Sequence, residues 1–395
     1  IIISVYSPTG KYTAKQITPN METMMKAQKR FLGPINSTKK YAILLYLSDM
    51  KAKDAKGFGA LEHPTSTTVV MPEMMGLEML QEQLKDVVSH EFFHIVTPLT
   101  IHSNEIQYFD FNNPQMSEHL WMYEGVTEYF ANLFQVNQGL IDEKEFFERM
   151  AGKIAQSRQM NDNMSFTKMS KNVLNPPYKE QYLNVYQKGA LIAMCMDILI
   201  RENSNGQKGI LSLMQELSKE YGTTKAFKDE ELFDKITALT YPAVGEFLKN
   251  HVAGETPIPY EQYFAKMGVT EATIEIAGNP FLKGQTQPYI TVNPATKEIM
   301  ILPDTELNVF MTTLGLKNND TLLAFNGKDY NLDNIYDLIM ASINWKDGDA
   351  MTVKFKRDGK EQTVKGKVVM PKEKQDGYQA TDDTKKTVRE AWLRG

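Results

Sequence analysis

Residues 87–97 read Val87-Val88-Ser89-His90-Glu91-Phe92-Phe93-His94-Ile95-Val96-Thr97, with the pattern His-Glu-x-x-His at their centre. Residues four apart on a helix lie one turn apart on the same face, so His90 and His94 can bind one metal ion. Glu91 leans toward the open side of that face, where it can act as a general base. A chance match on an amphipathic helix is the alternative, but the chain has only six histidines. The pattern therefore predicts a zinc hydrolase.

Composition excludes several other classes of protein. The 395 residues are 42% hydrophobic and 24% charged, which is typical of a globular chain with room for two or three domains. The formal net charge is -5 without a dense basic cluster, so we expect no nucleic-acid partner. The longest apolar run, Ala190–Ile200, is interrupted by Asp197 and is shorter than the roughly 20 residues of a membrane span. The single cysteine, Cys195, cannot form an internal disulfide.

The pattern of elements predicts an α+β fold. In the first part of the chain, strands are predicted at Ile1–Tyr6 and Tyr41–Leu47 with a helix at Pro19–Phe31 between them. Residues 58–70 are predicted to form one extended edge strand, because Pro64 cannot donate to a central ladder.

Residues 77–270 are predicted to be mostly helical. The helix with the histidine pair should run from about Leu77 to Val96 and be stopped by Pro98. Ser117 is typical of a helix N-cap, and the following helix carries Trp121, Glu124 and Glu128. Further helices are predicted at Asp142–Arg158, Asn184–Asn203, Gly209–Tyr221, Asp229–Thr240 and Tyr260–Met267.

After about residue 278 the sequence indicates a small β-rich module. Strands are predicted at Ile299–Leu302, Asp320–Phe325 and Met351–Lys356. Turn signals follow two of them, at Asn326-Gly327 and Asp358-Gly359, and a helix is predicted at Leu332–Ser342. Residues 371–395 are polar and charged, and we interpret them as a C-terminal tail whose last part forms a surface helix or is disordered.

A catalytic zinc site needs three protein ligands and an open position. Glu124 lies thirty residues after His94, a gap that allows a loop and an antiparallel return, and we favour it as the third ligand. Glu128 lies one turn further on the same face, where it can orient a ligand histidine. Two readings of Glu128 remain open beside this one, the metal ligand itself or a plain surface carboxylate.

The chemistry also requires a base and an oxyanion donor. Zinc lowers the pKa of its bound water from 15.7 toward about 7, and Glu91 would accept the proton. For the donor to the oxyanion we select Tyr186, with Tyr182, one turn earlier, as the rival. A tyrosine at the start of a buried helix can also serve packing alone.

Three segments together resemble a known family. They are His90-Glu91-Phe92-Phe93-His94, then Trp121-x-x-Glu124-Gly125-x-Thr127-x-Tyr129, then Tyr186-x-Lys188-Gly189-Ala190-Leu191. In combination they are similar to the glycyl aminopeptidase family of gluzincin zinc metallopeptidases, and the likeness continues to about residue 270. The resemblance implies a thermolysin-like, mostly helical catalytic domain with a small N-terminal sheet. It also implies zinc held by His90, His94 and Glu124, Glu91 as base and Tyr186 as oxyanion stabiliser.

The segment Gly59-Ala60-Leu61-Glu62-His63 is similar to the Gly-x-Met-Glu-Asn signature of aminopeptidase N relatives. In those enzymes the strand pairs with the substrate backbone and the glutamate binds the free α-amino group. The resemblance therefore implies substrate binding by Gly59, Ala60 and Glu62. A carboxylate fixed near zinc can pair with an ammonium and place the first peptide bond over the metal.

Members of this family often carry a PDZ domain after the catalytic domain. Residues 314–327 resemble the Gly-Leu-x-x-Gly-Asp-x-Ile-x-x-Ile-Asn-Gly core of such domains, with Asn319 in place of the usual glycine. Residues 279–292 lack the Gly-Leu-Gly-Phe pattern of the carboxylate-binding loop, so a structural or docking role is at least as well supported as peptide capture. We predict a catalytic domain over 1–275, a PDZ-like domain over 279–370 and a tail over 371–395.

The sequence departs from the family pattern in two respects. We expect the family's N-terminal β domain to be missing from this chain, because Ile1 stands where the catalytic domain should begin, and the lack of an initiator methionine leads us to expect further sequence upstream. His102-Ser103 stands where members often have Arg and Pro, and this change is expected to affect the substrate cleft. Any targeting signal would lie upstream; we favour the periplasm or cell envelope over the cytoplasm.

The sequence thus predicts a zinc aminopeptidase that acts on peptides or proteins, with the PDZ-like module available for docking. A zinc endopeptidase is the alternative if Glu62 faces away from the metal. A binding protein with an inactive peptidase fold is a third hypothesis, but the complete set of ligands, base and tyrosine argues against it.

Overall fold

The computed structural model describes residues 1–35, 38–49, 57–284 and 287–395. These residues form two compact units. The first contains Ile1–Met74, Gln81–Ala272 and Gly377–Gly395, and the second contains Met75–Leu80 and Thr273–Asp376. Both helices and small sheets are present, which confirms the predicted α+β class.

The strands of the described residues are short. They are β1 Ile2–Tyr6, β2 Ala42–Ser48, β3 Gly59–His63, β4 Ser66–Pro72, β5 Val269–Ala277, β6 Leu282–Lys283, β7 Gln287–Pro288, β8 Ile290–Val292, β9 Ile299–Ile301, β10 Thr321–Phe325, β11 Lys328–Asp329, β12 Ala350–Arg357, β13 Lys360–Lys367 and β14 Lys372–Ala380.

The helices lie mostly between β4 and β5. They are α1 Ala14–Leu32, α2 Leu77–Phe93, α3 Asn104–Gln107, α4 Thr127–Asn137, α5 Glu143–Arg158, α6 Phe166–Lys171, α7 Asn184–Asn203, α8 Ile210–Glu220, α9 Leu232–Leu239, α10 Pro242–Phe247, α11 Tyr260–Lys266, α12 Val309–Thr313, α13 Ile335–Ile343 and α14 Lys386–Arg394. Two π-helical segments, Trp121–Val126 and Leu248–Ala253, precede α4 and follow α10. Short 3₁₀ turns lie at Gly33–Ile35, Lys179–Gln181, Asp229–Glu231, Leu332–Asn334 and Asp383–Lys385.

The first unit contains a four-stranded sheet with the order β1-β2-β4-β3. β1, β2 and β4 are parallel, and β3 pairs antiparallel with β4 at the edge of the sheet. The prediction of one long strand over residues 58–70 was wrong, because the chain turns back after His63 and Pro64 lies in the turn. The edge position of its first part was predicted correctly, and the outer side of β3 has no strand partner among the described residues.

Helix α1 starts earlier than predicted. The Gln16 side chain accepts a hydrogen bond from the backbone N–H of Thr13 at 2.9 Å, which caps a helix that begins at Ala14. Pro19 therefore lies inside the helix rather than in its first turn. The side chains of Met21, Met24 and Met25 are buried, as their helical spacing predicted.

Helix α7 is the central element of the first unit. All residues from Lys188 to Arg201 are buried, including Cys195 and the acidic Asp197. The apolar run of this segment is therefore explained by burial inside the protein. No helix of the described residues is long and apolar enough to cross a membrane.

Residues 371–395 differ from the polar tail that we predicted. They form β14 and α14, and α14 buries Arg389, Trp392 and Leu393 in the first unit. The Trp392 ring stacks on Phe147, with 6.1 Å between ring centroids, and its indole N–H donates to the hydroxyl of Tyr129 at 2.8 Å. Composition alone did not indicate this packing, because four of the nine residues of the helix are charged and its apolar residues are few.

The second unit is built on a sheet with the order β13-β12-β10-β9-β8, with β11 paired to β10. Both predicted two-residue turns are confirmed: Asn326-Gly327 joins β10 to β11, and Asp358-Gly359 joins β12 to β13, each with positive φ angles. Asn319 also has a positive φ, of 67°, a conformation that asparagine tolerates better than most residues. An apolar core that includes Phe281, Phe310 and Phe325 fills this unit.

Candidate active site

His90 and His94 lie at the end of α2, with 4.8 Å between their ring centroids. The helix ends at Phe93, three residues earlier than predicted, and His94 lies in the turn that follows. The Nδ1 of His94 donates to the carbonyl oxygen of Thr97 at 3.1 Å. This bond leaves Nε2 of His94 as the nitrogen available to a metal.

Glu124 lies on the π-helical segment Trp121–Val126 and faces both histidines. Its Oε2 lies 3.1 Å from Nε2 of His90 and 3.7 Å from Nε2 of His94. Two ligands in a tetrahedral zinc site, each about 2.0–2.1 Å from the ion, are about 3.4 Å apart. The two distances from Glu124 bracket this value, so the donor set fits zinc.

Glu128 lies behind His90, on the side opposite to Glu124. Its Oε2 lies 2.8 Å from Nδ1 of His90, and its Oε1 accepts a hydrogen bond from Nζ of Lys153 at 2.6 Å. Burial lowers the pKa of His90, but the hydrogen bonds with Glu124 and Glu128 outweigh it and raise that pKa to about 10. Glu128 therefore occupies the position of a residue that orients His90.

Glu91 is buried, and its Oε2 has no hydrogen-bond partner within the described ranges of the chain. Burial raises the pKa of its carboxyl to about 7, with His90 lowering it and Glu62 raising it further. A carboxylate with a pKa near the working pH is suited to accept and return a proton.

Glu62 on β3 points toward the same centre. Carboxylate oxygens of Glu62 and Glu91 and a ring nitrogen of His94 all lie within 4.8 Å of one another. The structure thus brings a residue from the edge strand next to the histidine motif, although about thirty residues separate them in the chain. The endopeptidase alternative required Glu62 to face away from the centre. In the structure Glu62 faces the centre instead.

Tyr186 lies in the first turn of α7, with its ring centroid 5.7 Å from that of His90. Burial raises the pKa of its hydroxyl, so the group stays protonated and can donate a hydrogen bond. The hydroxyl of Tyr182 lies 3.2 Å from that of Tyr186. Both candidates are therefore near the site, and Tyr186 is the one that contacts a ring of the histidine pair.

Two glycines set the distance between Glu124 and Tyr186. Gly125 and Gly189 pack backbone against backbone: a Cβ added to Gly125 would lie 2.6 Å from Cα of Gly189, and one added to Gly189 would lie 2.9 Å from Cα of Gly125. Neither glycine has a positive φ. Their role is close approach of the segments that carry the two site residues.

A buried hydrogen-bond network fixes the residues that come directly before the π-helical segment Trp121–Val126. The Asp229 carboxylate accepts bonds from the Ser117 hydroxyl at 2.8 Å and from the backbone N–H of Glu118 at 2.7 Å. Nε2 of His119 donates to the Asp229 carbonyl oxygen, and Nδ1 of His119 accepts from the Trp121 indole. The contacts of Lys153, His119 and Asp229 were not predictable from the sequence, because only the fold brings these distant residues to their partners.

An open cleft of about 1000 Å³ adjoins these groups. Its lining includes Gly59, Ala60, His90, Glu91, Glu128, Lys153, Tyr182 and Tyr186. His102 and Ser103, which we expected to affect the cleft, are buried and do not line it. Both ring nitrogens of His102 are engaged, with the Pro98 carbonyl and the Gln107 side chain.

Comparisons with known proteins support the predicted resemblance. Residues 83–192 match the family model described as M61 glycyl aminopeptidase. The fold is similar to the crystal structure of an aminopeptidase N family protein from Idiomarina loihiensis, with a TM-score of 0.63 and 19% identity over 100% of this chain and 68% of that chain. No curated protein matches the chain. The predicted family resemblance and the predicted enzyme class, a peptidase, are thus confirmed.

Proposed function

We propose that this peptidase is a zinc-dependent aminopeptidase that removes the N-terminal residue from peptides. One observation carries the proposal. The donor atoms of His90, His94 and Glu124 converge beside the buried carboxylate of Glu91, and Glu62 reaches the same centre from an edge strand.

His90, His94 and Glu124 would hold the metal, leaving a fourth position open. Zinc held by these three residues would polarise the scissile carbonyl and lower the pKa of a water molecule toward about 7. Glu91 is placed to take a proton from the attacking water and to give it to the leaving amine. The Tyr186 hydroxyl donates a hydrogen bond to the oxyanion, a type of contact whose loss typically lowers kcat by about 10²- to 10³-fold.

Glu62 makes the enzyme an aminopeptidase. Its carboxylate pairs with the free α-ammonium group of the substrate, and the backbone of Gly59 and Ala60 on β3 pairs with the substrate backbone by strand addition. The position of Glu62 within 4.8 Å of Glu91 and His94 favours this reading over an endopeptidase, which has no use for a carboxylate at that place.

The residues of this centre also argue against an inactive binding protein. The Glu91 Oε2 atom is buried and finds no hydrogen-bond partner among the residues that the structure describes, which costs the folded protein about 1–3 kcal/mol. A peptidase that needs this carboxylate as a base has a reason to retain it despite the lost stability.

Two variants test the proposal. Glu91→Gln should keep bound zinc and lose hydrolysis of Ala-Ala peptides, and an active variant would contradict the assignment of the base. Glu62→Gln should lower kcat/KM for a free-amine peptide by about 10²-fold or more, and that for its N-acetylated form by much less. Equal losses with the two substrates would favour an endopeptidase. Zinc content measured on each purified variant separates loss of metal from loss of chemistry.

For the second unit we propose the PDZ-like module that the sequence predicts, acting in docking. The turn at Asn319 and the β10–β11 hairpin after it support this reading. Strand β8 at the sheet edge has only three residues, which favours a docking role over capture of a long peptide strand.

A further inference from the structure

Some side chains that line the cleft are exposed to solvent, whereas His90, Glu91 and His94 are buried. Three large apolar residues among its lining are exposed: Phe58 by 60%, Tyr182 by 42% and Leu183 by 61%. Exposed apolar residues are common singly, but three around one cavity next to a catalytic centre are typical of a binding surface.

We infer that the cleft holds the part of the substrate that follows the scissile bond, and that Phe58 and Leu183 select an apolar residue directly after that bond. The inference rests on the proposed aminopeptidase function. It assigns a preference on the leaving side of the substrate, which is separate from the choice of the N-terminal residue.

The direction of the substrate follows from β3. A substrate whose amine is held at Glu62 and whose backbone pairs antiparallel with β3 extends past Ala60 and Gly59 toward Phe58. Phe58, Gly59 and Ala60 line the cleft, whereas Glu62 does not. The cleft therefore lies on the leaving side of the scissile bond.

The cleft is long enough for several residues. It follows α2 backward from His90 to Glu82, eight residues of helix or about 12 Å at 1.5 Å per residue. An extended peptide covers this length in three to four residues at about 3.3 Å each.

Charge in the cleft disfavours an acidic residue after the scissile bond. Among the described residues that line it, the lysine and the arginine are already paired, Arg149 with Glu145 at 2.7 Å and Lys153 with Glu128 at 2.6 Å. Glu82 and Asp86 add further negative charge to the lining. A substrate carboxylate would meet no free cation among these lining residues, whereas an apolar side chain would cover Phe58 and Leu183.

The test compares Ala-Leu-Gly-amide with Ala-Asp-Gly-amide by release of free alanine. The wild type should prefer the leucine peptide by about tenfold in kcat/KM. This is the low end of the selectivity that a hydrophobic pocket provides, because Phe58 and Leu183 are more than half-exposed. The double variant Phe58→Ala/Leu183→Ala should reduce this ratio to about twofold. Leu61→Ala is the matched control, because Leu61 lies on β3 three residues after Phe58 and is 57% exposed, but does not line the cleft.

A binding measurement gives a second readout. In the Glu91→Gln background, a fluorescein-labelled Ala-Leu-Gly-Lys peptide should bind about five- to tenfold more weakly when Phe58 and Leu183 are replaced, and unchanged when Leu61 is replaced. Equal hydrolysis of the two peptides by the wild type, or an equal loss with Leu61→Ala, would overturn the inference while leaving the aminopeptidase proposal intact. Failure to hydrolyse any free-amine peptide would overturn the proposed function itself and this inference with it.

Discussion

Replacing Gly125 by alanine should separate the two halves of the catalytic centre. The new Cβ would lie 2.6 Å from Cα of Gly189, whereas carbon atoms in contact prefer about 3.5–4.0 Å. The backbone of the Glu124 segment and that of α7 must therefore move apart by roughly 1 Å. Both neighbours are backbone atoms of buried helices, so no side chain can rotate away to make room.

Two consequences of this 1 Å shift can be measured. Overpacking of this size should lower the free energy of unfolding by about 1–3 kcal/mol. A displacement of 1 Å between Glu124 and Tyr186 should also lower kcat/KM by about 10²-fold. Gly189→Ala should be milder, because its Cβ would lie 2.9 Å from Cα of Gly125.

The assays are urea unfolding and hydrolysis of an alanyl substrate, with zinc content measured on the same preparations. Gly222→Ala is the control: its Cβ would meet nothing within 4 Å and its φ is not positive, so stability and activity should match the wild type. A Gly125→Ala enzyme with wild-type stability and activity would refute the view that the glycine contact sets the geometry of the site.

Three further predictions concern the metal, the C-terminal helix and a buried acid. Glu124→Ala should lose zinc, whereas Glu128→Ala should retain it with about 10- to 100-fold weaker affinity, measured by competition with a chelating indicator; loss of zinc only in the Glu128 variant would reverse the assignment. Trp392→Ala should lower the free energy of unfolding by about 3–5 kcal/mol in a urea titration, since the indole is fully buried, and a loss below 1 kcal/mol would contradict its place in the core. Burial raises the pKa of Asp197 above its ordinary value. Ionising the buried carboxyl then costs the folded state free energy. The free energy of unfolding of the wild type should therefore fall relative to that of Asp197→Asn as pH rises from about 4 through the folded-state pKa. Urea titrations in which the two proteins show the same dependence of this free energy on pH would contradict the prediction.

The sequence predicted the parts of the site that short spacings encode. One turn of helix is enough to place His90, Glu91 and His94 together. Glu124 reaches them after a loop and an antiparallel return, thirty residues beyond His94. The π-helical geometry of Trp121–Val126 was not predictable, because apolar periodicity distinguishes helix from strand and not one helical pitch from another.

Contacts between distant segments account for what sequence analysis missed. Lys153 reaches Glu128 from another helix, and Asp229 lies more than one hundred residues beyond the loop that it holds. The docking of α14 also escaped prediction, since Trp392 is one aromatic residue in a charged segment and its partners are distant in the chain.

The outer edge of β3, which has no strand partner in the part of the chain that the structure describes, has a consequence for the protein in concentrated solution. A strand edge that can pair with a peptide can equally pair with the same edge of another molecule, the first step of edge-to-edge aggregation. Several features limit this hazard here: β3 has only five residues, it begins with Gly59, Pro64 follows it, and Glu62 places an inward charge along it. The carboxylate that we assign to substrate recognition would thus also protect the fold, and an apolar replacement of Glu62 should promote self-association along with the loss of aminopeptidase activity.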